Sequence, residues 1–289
     1  MKAALMIISM LSCLMAGAGN KEYTLNQSVK QNEILFFNMA TGEVATAVLW
    51  LWGGVKTISS FSLWLGLAFG IVTMLQQFFT LRAIQIGPMA YTSVIVSLST
   101  TIPAISGAII WHEQIKPLQI IGVLLLLICF LLSVQPNAED KQSSIRWLIY
   151  SLAAFLCTGA VGVLQKWHQL SEYRSELSSF LVISFFVYTV IALLILLIKR
   201  KRGVRINACI MTWKNFLLVL MVGIGCAVNN KLNLYLSGVI DSMIFFPLVN
   251  GGNIILTTVL SFVLFHEKLS KRQCVGILVG TIAVVLLVI

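Results

Sequence analysis

Trp111-His112-Glu113-Gln114-Ile115 returns 154 residues further along the chain as Phe265-His266-Glu267-Lys268-Leu269. The likeness spreads outward over the stretch from Pro88 to Val134, with identities at Gln119/Gln273, Gly122/Gly276, Leu124/Leu278, Ile128/Ile282 and Leu132/Leu286. The last three pairs recur every four residues and so share one helical stripe. Each copy reads as an apolar helix, a short polar turn carrying Glu, and a second apolar helix.

What surrounds the two copies fixes the class. Hydrophobic residues make up 58% of the 289 and charged residues 10%, whereas soluble domains carry about 25% charge. At roughly 20 residues per bilayer-spanning helix plus short loops, the length holds ten spans and no soluble domain. We place them at 2–22, 32–54, 60–82, 87–111, 118–135, 146–166, 177–198, 214–236, 241–264 and 272–289. All are expected to be helices, because lipid does not tolerate unpaired backbone and the alternating pattern of a membrane barrel is missing. Lys2, the apolar run to Met15 and Ala16-Gly17-Ala18 have the form of a signal peptide. Residues 146–168 resemble this segment at an offset of 145, aligning Lys21 with Lys166, so a retained first helix is the preferred reading.

The net charge of +10 sits in loops between spans, where basic residues set topology, so nucleic acid is not expected as a partner. Cys13, Cys129, Cys157 and Cys226 lie inside apolar segments with no C-x-x-C spacing, which implies neither disulfides nor a metal. No cofactor is expected.

Residues 138–144 form a polar linker between halves 1–137 and 145–289, each with five spans. An odd number of spans separates equivalent points, so the second copy must be inverted relative to the first. The fold class expected is thus an all-α integral membrane protein of ten transmembrane helices in two inverted five-helix repeats, a plan used by secondary transporters. On this arrangement Lys2, Lys56, Lys116, Lys166 and Arg174 lie on the side of the termini and most other basic residues lie opposite. The positive-inside rule then puts both termini outside.

Polar groups within spans are expensive and mark candidate sites. Glu43 is the one carboxylate near the middle of span two; desolvation would suit it to carry a proton, and a structural ion pair is the plainer reading. Lys231 in span eight lies beside Asn229, Asn230 and Asn233, placed to attract a carboxylate, to pair with Glu43 or to snorkel to the surface. Gln76 and Gln77 hold the equivalent place in the first half. Span nine brings Asn250 and Asn253 around two glycines just after Pro247, and span four brings Tyr91 and Ser97 ahead of Pro103. These are substrate-binding candidates, set against helix packing by small and hydroxyl residues. Gly66/Gly70 and Gly276/Gly280 read as packing surfaces. The two His-Glu pairs face opposite membrane sides and match no zinc motif, so helix capping is the better account of them. No catalytic constellation appears.

Leu81-Arg82-Ala83-Ile84-Gln85-Ile86-Gly87-Pro88-Met89-Ala90-Tyr91, then Ile102-Pro103, His112-Glu113 and Gln119-Ile120-Ile121-Gly122, resemble the EamA-like branch of the drug/metabolite transporter superfamily. The second half is similar through Tyr235-Leu236-Ser237-Gly238, His266-Glu267 and Gln273-Cys274-Val275-Gly276. Lys21 and Lys166 resemble the lysine this family often shows late in its first and sixth helices, which implies a place for both in the substrate path. His-Glu stands here where the family usually has Gly-Glu. The resemblance also implies cytoplasmic termini, against the charge count.

The combined expectation is a secondary transporter, an exporter of a small metabolite such as an amino acid or drug-like compound. It would work by alternating access with protons as a candidate coupling ion, in the lipid bilayer of a bacterial cytoplasmic membrane. The alternative is a non-transporting membrane protein, either a lipid-modifying enzyme or an assembly partner. Substrate identity and oligomeric state are not legible.

Overall fold

The computed structural model describes residues 2–25, 31–86, 92, 95–96, 98–133, 145–201, 212–265 and 271–288. Among them are ten α-helices and no strand. They are α1 (Lys2–Leu25), α2 (Gln31–Gly53), α3 (Ser60–Ile86), α4 (Thr101–Trp111), α5 (Pro117–Ser133), α6 (Ile145–Leu170), α7 (Leu177–Lys201), α8 (Trp213–Val239), α9 (Ser242–Phe265) and α10 (Lys271–Val288). A single 3₁₀ turn, Arg174–Glu176, leads into α7. Six segments are long and apolar enough to cross a membrane, and each of the ten helices falls on a span expected from sequence. The chain is a multi-pass integral membrane protein.

Span four departs from expectation. It was read as one helix over 87–111, but the chain turns at Ser99–Thr100 before α4 begins. Pro103 is the cause: it has no N–H to offer the carbonyl of Ser99, four residues back, and its ring crowds that oxygen. The Ser99 carbonyl instead accepts from the Ile102 N–H at 3.0 Å, a tighter i→i−3 bond. Pro103 is left in the first turn of α4, where a missing donor costs little.

The chain forms two compact units, Met1–Met74 with His168–Tyr235 and Leu75–Trp167 with Leu236–Ile289. Each draws on both sequence halves. In the first unit α2 lies along α7. Tyr23 of α1 stacks on Phe37 of α2 with ring centroids 4.0 Å apart, above a cluster with Ala16, Leu218, Val219 and Val222. The residues Gly66 and Gly70 do serve packing. A Cβ at Gly70 would come within 2.5 Å of the Ser184 carbonyl oxygen, so α3 approaches α7 this closely only because the side chain is absent.

In the second unit α10 lies along α5, and α9 packs on α4, α5 and α10. Ala104, Val123, Leu126, Met243 and Ala283 form its buried cluster. A Cβ at Gly280 would meet Cys129 Sγ at 2.7 Å, so this glycine sets the α10–α5 approach.

Candidate functional site

The His112-Glu113 turn organises a polar node in the second unit. His112 closes α4 in a left-handed conformation, φ 53° and ψ 34°, a region that glycine enters freely and histidine more readily than most residues. This explains why a Gly-Glu turn can become His-Glu. The left-handed residue folds Glu113 back over Gly107, where any side chain would collide with the carboxylate and with Ser242. Glu113 Oε2 then accepts the Ser242 N–H at 2.7 Å. Glu113 is a helix cap, as the sequence argued, but it caps α9 from afar. The helix that follows it, α5, is capped by Gln119, whose Oε1 accepts the Lys116 N–H at 3.1 Å.

Lys166 completes the node. Its Nζ lies 2.7 Å from Glu113 Oε1 and donates to the Ile240 carbonyl at 2.9 Å. Since α8 ends at Val239 and α9 begins at Ser242, a helix C-terminus and a helix N-terminus meet here. The ammonium sits at the negative end and the carboxylate at the positive end, each also opposite the other. Lys166 is 2% exposed.

In the first unit, Glu43, Thr46, Ala47 and Trp50 follow i, i+3, i+4, i+7 spacing and form one stripe of α2. The stripe faces Val182, Phe186, Val190 and Leu193 of α7 across a cavity of about 370 Å³. Glu43 is exposed in this groove, and no side chain among the described residues pairs with it. Lys231 does not reach it. Its Nζ sits 4.2 Å over the Trp52 ring, nine residues further along α2 and therefore about 13 Å from Glu43 by helix rise.

Two further polar groups belong to the same unit. Ser9 Oγ of α1 lies 3.0 Å from Asn229 Oδ1 and 2.6 Å from Asn233 Oδ1 on α8. Near the start of α3, Glu176 accepts from the Ser59 N–H and hydroxyl, Ser59 meets Ser62, and Ser62 Oγ is 3.2 Å from His168 Nε2. Gln169 Nε2, a donor, faces His168 Nδ1 at 3.0 Å, which leaves the ring proton on Nε2. The serines stand between the histidine and the acid, whereas a nucleophilic triad needs the histidine in the middle. The cluster ties α3, α6 and the 3₁₀ turn together. Sequence reasoning passed over it because its members are scattered from 59 to 176.

The remaining candidates are placed singly. Gln76 and Gln77 are half-buried on α3. Asn230 Nδ2 donates to its own helix at Cys226 O, and Asn250 Nδ2 to Phe246 O, both at 2.9 Å. Asn253 keeps a buried Oδ1 with no partner. Tyr91, Ser97, His266-Glu267 and the 138–144 linker lie outside the described residues, as does the side chain of Lys21.

Residues 2–135 match the EamA-like transporter family. No curated protein matches the sequence. A protein of known crystal structure aligns over 99% of this chain and 98% of its own, with a TM-score of 0.75 at 15% identity. That likeness is one of fold alone.

Proposed function

Residues 2–135 belong to the EamA-like transporter family of the drug/metabolite transporter superfamily, and from that premise we propose that the chain is a secondary transporter exporting a small metabolite. The substrate is a polar or amphipathic compound such as an amino acid or drug-like molecule, and the membrane is a bacterial cytoplasmic one. The family match carries the reading, since members of the family are transporters and not enzymes.

Alternating access between two inverted halves is the mechanism we favour. Its support is a packing pattern inside each unit. The repeat equates α2 with α7, α4 with α9 and α5 with α10, and these are the pairs that lie against one another. A two-fold operation brings equivalent elements together in just this way wherever they flank its axis. Lys21, Gln76, Gln77, Tyr91, Ser97, Lys166, Asn230, Lys231, Asn250 and Asn253 remain the proposed substrate contacts, and Glu43 the proposed proton carrier.

The test is a comparison of metabolites inside and outside cells with and without the protein. Export predicts a compound that accumulates in the medium only when the protein is present. For coupling, Glu43→Gln should abolish proton movement with that compound, and normal coupled transport by the variant removes Glu43 from the mechanism.

A further inference from the structure

We propose that the α2–α7 groove is a binding site for a lipophilic organic monocation that reaches it from the acyl-chain region of the bilayer. The inference concerns binding and stands apart from transport.

The groove combines two features that rarely occur together. Its walls are apolar: Ala47, Val182, Val190 and Leu193 line it with the rings of Trp50 and Phe186. Trp50 and Phe186 are 57% and 58% exposed, which in a spanning helix is exposure to lipid. Yet one wall carries the Glu43 carboxylate, at the middle of the Leu35–Gly53 span. A carboxylate at that depth is costly unless something compensates it.

Nothing within the unit does so. The Thr46 hydroxyl is engaged with the Gly42 carbonyl at 2.8 Å. Lys231 is held over Trp52 near the end of the helix. Thr189, which also lines the groove and is 8% exposed, has a hydroxyl with no partner. The site therefore presents one negative charge, one unused hydroxyl and two aromatic faces inside a hydrophobic cavity of drug-ligand size.

That inventory selects its ligand by charge and surface. An anion meets Glu43 with repulsion, and a neutral hydrocarbon leaves the carboxylate desolvated and unpaired. A divalent metal ion needs several oxygen ligands where the groove offers one carboxylate. A monocation with an apolar, preferably aromatic body satisfies every wall, with the charge on Glu43 and the rings of Trp50 and Phe186 adding cation–π contact.

The experiment uses the full chain, purified in uncharged nanodiscs, and a fluorescent dimethylaminostyryl-N-methylpyridinium dye as the probe. The wild type should bind it saturably at one site per chain, and an uncharged analogue of the same size should bind far more weakly. Glu43→Gln should weaken binding by roughly tenfold or more, and Phe186→Ala by about threefold to tenfold. Ala47→Phe keeps the carboxylate but fills the groove, so it too should lose the dye, with helix content and monodispersity unchanged. Equal affinity in wild type and Glu43→Gln overturns the proposal. So does the lack of saturable binding by folded wild type, including the case in which Glu43→Gln instead alters self-association, which would assign the groove to a second copy of the chain.

Discussion

Lys166 Nζ stands 2.7 Å from Glu113 Oε1, and the pair bridges the end of α8 to the start of α9. Both side chains are largely buried, 3% and 11% exposed. Removing one partner strands the other charge away from water, which in proteins costs about 3–5 kcal/mol. Lys166→Met and Glu113→Gln should each lower thermal stability in detergent sharply, and the double variant should recover part of the loss. A double-mutant cycle read from unfolding midpoints checks this; a coupling energy near zero contradicts the pairing.

His112 is the one residue other than glycine with positive φ among those described. Left-handed backbone costs an L-residue about 1–2 kcal/mol, most for β-branched side chains. His112→Gly should be at least as stable as the wild type, whereas His112→Val should lose stability and loosen the Glu113–Ser242 cap. Equal melting of the two variants would mean that the turn is not held in this conformation.

Two glycines make opposite predictions. A methyl at Gly70 meets backbone oxygen of α7, while at Gly17 it meets nothing within 4 Å. Gly70→Ala should destabilise by about 1–3 kcal/mol through overpacking. Gly17→Ala should be neutral or slightly stabilising, because alanine is the better helix former. Thermal unfolding of the two variants side by side gives the comparison, and a harmless Gly70→Ala contradicts the close α3–α7 approach.

Lys231 lies 4.2 Å over Trp52, a cation–π contact worth about 0.5–2 kcal/mol. Lys231→Met and Trp52→Leu should therefore show favourable coupling in a stability cycle. As a proposed substrate contact Lys231 carries a second expectation: Lys231→Met should weaken substrate binding more than Trp52→Leu, which leaves the ammonium in place. Unchanged substrate affinity after Lys231→Met removes it from the site.

The ten helices were legible because each is an apolar run closed by polar turns, and lipid allows such runs a single backbone solution. The break in span four was written in Pro103, but a proline marks a discontinuity without saying whether the helix kinks or stops. Glu113 was legible as a cap but not as the cap of α9, since only the folded chain says which helix end arrives at that turn. The Glu43 stripe on α2 was visible at helical spacing. Its facing stripe on α7 was not, because either could have faced any of nine other helices. Nor does position along α2 say that Glu43 looks outward, away from Lys231.

The central claim is transport, and the most direct test is flux through the purified full chain in proteoliposomes. Vesicles loaded with a defined mixture of amino acids and amphipathic amines are assayed by mass spectrometry for what leaves them under an imposed proton gradient. The account predicts saturable release of one compound or a small related set, absent from protein-free vesicles. Reproducible absence of protein-dependent release across the mixture, with the protein folded and inserted, would contradict it.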